Sequence, residues 1–238
     1  MNMTFEKPQI NKKDIPEKKE WGQKIEKEIF IPFLTKTMGD IFDFAVKTSE
    51  DVDNNPYGPK IDIIARFRQD GSHLAIDSTA LELNDKGREI LEEKKSGARF
   101  KSMWGIERIC KDSGYLPKSK DERTPKIVLN FNHNAISDAQ AFWTHEGRKK
   151  SWFEYLNLDR NVNDEGKRKE EKERWDFKDR IDILQQMIEG LEDILESKRG
   201  QKEEKITENI INPKLEILRR ALARNLKANL TPLEVYDY

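Results

Sequence analysis

Residues 58–79 read GPKIDIIARFRQDGSHLAIDST. Two apolar runs, KIDIIARFR (60–68) and HLAIDST (73–79), flank the polar stretch RQDGS. Asp-Gly between two such runs is a turn signal, because glycine accepts the positive φ that a tight turn needs. The runs therefore read as two antiparallel strands of a hairpin. Each is interrupted by one carboxylate, Asp62 in the first and Asp77 in the second. A carboxylate within an apolar strand costs free energy unless it is paired or holds a cation. A hairpin of this length sets the strands side by side, so the two acids are expected to meet.

Working outward, residues 17–36 place Trp21, Ile25, Ile29 and Phe33 four apart. That spacing predicts an amphipathic helix, which Pro32 should kink or end. Residues 41–46 (IFDFAV) read as a strand, and residues 84–100 as a basic helix with Asn84 as N-cap. KIVLNFN (126–132) reads as a further strand. The order is helix, three-strand meander, helix, strand. It predicts an α/β (α+β) fold with a mixed sheet flanked by helices. The expected core includes Ile25, Ile29, Ile61, Ile63, Leu74, Ile76, Val128 and Leu129.

Further on, Phe177, Ile181, Leu184, Ile188, Leu191 and Leu195 alternate in steps of four and three, the pattern of a short heptad seam. KRGQKEEK (198–205) reads as a turn, and a second helix after Pro213 aligns Leu215, Leu218, Leu222 and Leu226. The chain thus divides into an arm (1–16), an α/β domain (17–160) and a helical hairpin extension (161–238). A lone hairpin buries one seam and needs a further cover. The α/β domain, a second copy or another protein can supply it. The expectation is a projecting element that makes a homodimer or binds a protein partner through residues 175–230. Arg219, Arg220, Arg224 and Lys227 lie beside the stripe, where they would meet phosphates or acidic side chains.

Composition narrows the class. The 238 residues are 37% charged and 35% hydrophobic, with 44 basic against 45 acidic residues. The balance excludes a uniformly basic nucleic-acid binder, yet acids gather over 40–56 and bases over 86–126. No apolar run approaches the ~20 residues of a membrane span, and the start has no apolar signal core. Cys110 is the single cysteine, so an internal disulfide and a cysteine-held metal cluster are out, and the cytoplasm is the expected compartment. No glycine-rich phosphate loop occurs.

Asp62 and Asp77, joined by Glu26 from the first helix, would line an oxygen-only site for magnesium or manganese. Such an ion polarises a phosphodiester and activates water. The competing reading has each Asp cap a turn or pair with Lys60 or Arg66. His73, His133 and His145 show no metal-ligand spacing and read as surface or hydrogen-bonded residues. Asn130, Asn132 and Asn134 read as loop hydrogen-bonders, and Trp143, Trp152, Phe153 and Tyr155 as core. Cys110 has no neighbouring His to make it a nucleophile.

The segment 58–79 resembles the centre of the PD-(D/E)xK nuclease superfamily, most closely its restriction-endonuclease-like and Holliday-resolvase-like members. There, a strand Asp is followed after a hairpin by an acid-x-Lys triplet. The preceding helix often carries Gly then Glu, similar to Trp21-Gly22-Gln23-Lys24-Ile25-Glu26 here. The resemblance covers residues 17–135. It implies Asp62 and Asp77 as metal ligands, with Glu26 in support. The triplet departs from the family, since Asp77-Ser78-Thr79 puts Thr79 where the family has Lys. Lys60, on the strand face of Asp62, or Lys86, at the start of the following helix, would then supply the charge. The implied function is a metal-dependent endonuclease acting on nucleic acid, with DNA the expected substrate, in restriction, defence or DNA processing. The alternative is a catalytically inactive nuclease-fold subunit that binds nucleic acid or a protein partner.

Overall fold

Side chains alternate across a strand, and here the alternation separates core from site. Leu74 and Ile76 face one side of the sheet with Ile63, Ala65 and Phe67, while Ala75 and Ile64 face the other. The computed structural model describes residues 25–48, 61–82, 84–100, 103–106, 115, 122–131 and 179–230. The arm, Trp21, Gly22, Lys60, Cys110, Asn132, His133, Asn134, Trp143, His145, Trp152, Phe153, Tyr155, Trp175 and Phe177 lie outside the described residues.

Among the described residues the strands are β1 (Phe42–Lys47), β2 (Ile63–Phe67), β3 (His73–Thr79), β4 (Met103–Gly105) and β5 (Arg123–Asn130). Their order in the sheet is β1-β2-β3-β5-β4. β1, β2 and β3 form an antiparallel meander, β5 lies parallel to β3, and β4 is antiparallel to β5. The sheet is therefore mixed, as the element order predicts. Helix α3 (Asp85–Phe100) lies in the crossover from β3 to β5. Asn84 caps it, its Oδ1 accepting the Gly87 N–H at 2.9 Å. Gly71 takes φ +72° in the β2–β3 turn, as the Asp-Gly signal requires.

The first helix passes Pro32 by changing its winding. Its two parts, α1 (Glu26–Phe30) and α2 (Phe33–Thr37), are both π-helical, and Ile31 N–H donates to Glu26 O. Proline cannot donate to the carbonyl four residues back, and a wider turn relieves the clash with that carbonyl. Phe30 stacks on Phe131 at 3.9 Å and Phe33 meets the same ring edge-on at 5.7 Å, seating this helix on the end of β5. β1 bulges between Phe42 and Phe44, and Asp43 forms a two-pronged pair with Arg66 at 2.9 and 3.0 Å.

The hairpin comprises α4 (Asp179–Lys198) and α5 (Glu204–Leu230), with Gly200 at φ +72° between them. α5 begins before Pro213 rather than after it, so Pro213 lies inside the helix. The hairpin is a layer of the core, which corrects the expectation of a projecting element. Ile183, Leu184, Met187, Ile188, Leu191 and Ile194 of α4, with Ile211, Leu215 and Leu218 of α5, share one buried cluster with Ile63, Ile76, Ile127 and Leu129 of the sheet. Leu184 and Leu191 are thus covered by the chain's own sheet, and that seam is closed to a second copy or another protein. Gly190 allows the close approach, since a Cβ there would stand 3.0 Å from Ile127 Cγ2. The Gln186 amide accepts the Asn130 N–H at 2.8 Å and donates to its carbonyl at 3.0 Å, fixing α4 on the end of β5.

All eight expected core residues are buried, but on two faces. Ile61 packs with Ile64, Ala75 and Ile106, and Val128 packs with Leu91 of α3. No helix among the described residues is long and apolar enough to cross a membrane.

Candidate active site

Asp62 stands one residue before β2, where its backbone joins both neighbours. Its N–H donates to Ile76 O at 2.9 Å and its carbonyl accepts the Thr48 N–H at 2.8 Å. Asp62 is 8% exposed and Asp77 9%. Asp62 Oδ2 accepts the Ser78 N–H at 2.6 Å and the Ser78 hydroxyl at 2.8 Å. Two donors on one oxygen should favour the carboxylate. Burial and the charges of Asp77 and Glu26 outweigh them, and push the Asp62 carboxyl up from 3.8 to about 8. Near neutral pH the buried Asp62 therefore holds a proton. Asp77 and Glu26 both act on Asp62 electrostatically.

Cations meet two of these acids. Asp77 Oδ1 pairs with Lys94 Nζ of α3 at 3.1 Å, and Asp77 Oδ2 pairs with Lys126 Nζ of β5 at 3.1 Å. Glu26 pairs with Lys47 of β1 at 2.6 Å. The parallel pairing of β3 with β5 sets Ala75 beside Lys126 and Asp77 beside Val128, so Lys126 lies on the Asp77 face one row away. Lys126 is itself buried, while Lys94 is more open.

Thr79, at the family's lysine position, pairs in register with Asn130 and adds no cation. Asn130 is structural, its side chain bonding both the N–H and the carbonyl of Leu81, at 2.7 and 3.1 Å. Lys86 is exposed on the first turn of α3, and Lys94 of the same helix reaches Asp77 instead. Arg66 pairs with Asp43 rather than with either site acid. His73 is buried, which excludes a surface role. It bonds Glu122 at 2.8 Å through Nδ1 and the Tyr115 hydroxyl at 2.7 Å through Nε2.

Compared with protein-family models, curated proteins and solved structures, the chain matches none.

Sequence reasoning missed Lys47, Lys94, Lys126 and Ser78. Ser78 was legible as the residue between Asp77 and Thr79, but that its hydroxyl meets Asp62, one residue before β2 begins, follows from the fold. Lys126 opens KIVLNFN, and only the β3–β5 register shows which acid it faces.

Carboxylates crowded enough that one of them keeps its proton are the chemistry a hard divalent cation relieves. Among the described residues, however, no three of His, Cys, Asp and Glu stand together as a ready metal-binding group. Asp62 and Asp77 are the pair with the donor chemistry, and Glu26 is engaged by Lys47. A cation at Asp62 and Asp77 would displace the Asp62 proton and compete with the lysines on Asp77.

Proposed function

We propose that this chain is a magnesium- or manganese-dependent phosphodiesterase of the PD-(D/E)xK kind, with a restriction-endonuclease-like core and nucleic acid, DNA first, as substrate. The observation that carries the reading is the meeting of Asp62 and Asp77 from neighbouring strands, with Lys94 and Lys126 on Asp77. The antiparallel meander followed by a helix and a further strand has the element order the sequence predicts, which supports the reading. Asp62 and Asp77 would hold the ion, which would polarise the phosphodiester and lower the pKa of water. Lys126 and Lys94 balance negative charge beside Asp77, the part the missing lysine at position 79 would play. Lys94, the more open of the two, would face a phosphate. Action on DNA in the cytoplasm, in restriction, defence or processing, belongs to the same reading.

A second reading has its own support. Both oxygens of Asp77 are engaged by lysines and position 79 is Thr, the state of a nuclease-like subunit that binds without cutting. Incubation with supercoiled plasmid, single-stranded DNA and RNA, with magnesium, manganese or EDTA, separates the two. Metal-dependent cleavage that Asp77→Asn abolishes and Lys94→Ala weakens supports the enzyme. Cleavage unaltered in Asp77→Asn places the activity elsewhere, and metal-independent binding without cleavage favours the subunit.

A further inference from the structure

At the opposite end of β3 from Asp77, five residues or roughly 17 Å of strand away, a second concavity opens. It has a volume of about 640 Å³ and lies between the β2–β3 turn, the start of β5 and the first half of α5. That volume falls within the range of small-molecule clefts. Two polar groups in its wall, Lys214 and Ser72, lack the partners that burial calls for. Lys214 is 3% exposed, and its Nζ meets the Ile210 carbonyl of its own helix at 3.3 Å and the Phe67 ring at 5.9 Å. Among the described residues it has no carboxylate at ion-pair distance. The Ser72 hydroxyl oxygen is buried with no hydrogen-bond partner. Pro213 has no N–H, so the Asn209 carbonyl loses the donor a helix supplies from four residues on. Ser72, Asn209, Pro213 and Lys214 all line this cleft.

The acids nearby are already used. Asp70 accepts the Ser72 N–H at 2.9 Å, and Glu122 takes both the ring and the backbone N–H of His73. Ile210 and Ile206, the latter 54% exposed, give one wall an apolar surface. Arg123 stands at the rim, in a loose pair with Glu203 at 3.9 Å.

We propose that this cleft is a binding site for a small molecule bearing a carboxylate or phosphate on an apolar body. The anion takes Lys214 Nζ and the Ser72 hydroxyl as donors, and the apolar part lies against Ile206, Ile210 and Pro213. Burial pulls the Lys214 ammonium below its ordinary pKa despite the opposing pull of the Asp70 and Glu122 carboxylates, neither at ion-pair distance, and an anion bound against Nζ supplies the close counter-charge. The site is separate from Asp62 and Asp77 and does not depend on nuclease activity.

The test uses the full chain with benzoate and phenyl phosphate as probes, benzyl alcohol and benzylamine as controls, and lysines labelled at Cε for NMR. Either anion should shift the Lys214 resonance saturably, and the controls should not. Lys214→Met should weaken binding of that anion by about tenfold or more, and Ser72→Ala by a few-fold. Far-ultraviolet dichroism checks that both variants fold. Should Lys214→Met fail to fold, the saturable Lys214 shift in the unmodified chain decides alone. No shift with either anion overturns the proposal, as does benzylamine or benzyl alcohol binding as tightly as benzoate. Which anion binds more tightly assigns carboxylate or phosphate.

Discussion

Replacing Asp62 by Asn removes a buried acid whose carboxyl is pushed from 3.8 to about 8 and leaves a neutral side chain of the same shape. In the unfolded chain Asp62 ionises near pH 4, whereas in the folded chain it keeps its proton until about pH 8. Between these values the folded state binds the extra proton, so Asp62 makes stability fall as pH rises. The slope is about 1.4 kcal/mol per pH unit, and the full interval of about four units sets a ceiling near 6 kcal/mol. Relaxation around the carboxylate and its coupling to Asp77 and Glu26 reduce this, and about 2–4 kcal/mol is expected above pH 8. The amide oxygen that Asp62→Asn introduces can accept the Ser78 N–H and hydroxyl as the carboxyl of Asp62 does. The variant should therefore match the natural chain at about pH 4 and exceed it increasingly up to about pH 8, then run parallel. Urea unfolding at pH steps across that window measures the difference. Groups common to both chains cancel. A difference that stays flat with pH, or that has Asp62→Asn less stable at high pH, refutes the burial and charge argument.

The neighbouring substitution has the opposite sign. Asp77→Asn takes away the carboxylate paired with buried Lys126, so the structure predicts a loss of about 1–3 kcal/mol by urea unfolding. Magnesium or manganese should raise the melting temperature more at about pH 8.5 than at about pH 5.5, since the Asp62 proton competes with the ion, and Asp62→Asn should remove that dependence. Gly190→Val should cost about 1–3 kcal/mol in thermal or urea unfolding, because its Cβ would press on Ile127.

What could be read from the sequence was what repeats locally. Short apolar runs placed β2 and β3, the Asp-Gly turn joined them, and Asn84 announced α3. The two site acids stood out because each broke an apolar strand. Lys94 and Lys126 were illegible because their place depends on helix phase and on a parallel pairing made across the α3 crossover. β4, three residues long, offers too little sequence for any pattern. The breadth of the α4 interface was visible in part. Ile183, Met187 and Ile194 widen the apolar face beyond a two-position seam, as a helix held between a sheet and a second helix requires.

The core layer formed by α4 and α5 has a consequence for how the chain is made. Strands β1, β2, β3 and β5 are synthesised first, yet the apolar face of Ile63, Ile76, Ile127 and Leu129 has its cover in residues as late as Leu218. During synthesis that face waits for this cover, a sticky surface that invites chaperones or aggregation. A ribosome that stalls before α4 releases a sheet without its lid. The same division suggests a reconstitution: a fragment ending before α4 and a second carrying α4 and α5, each insoluble or unfolded alone, should recover the fold when refolded together.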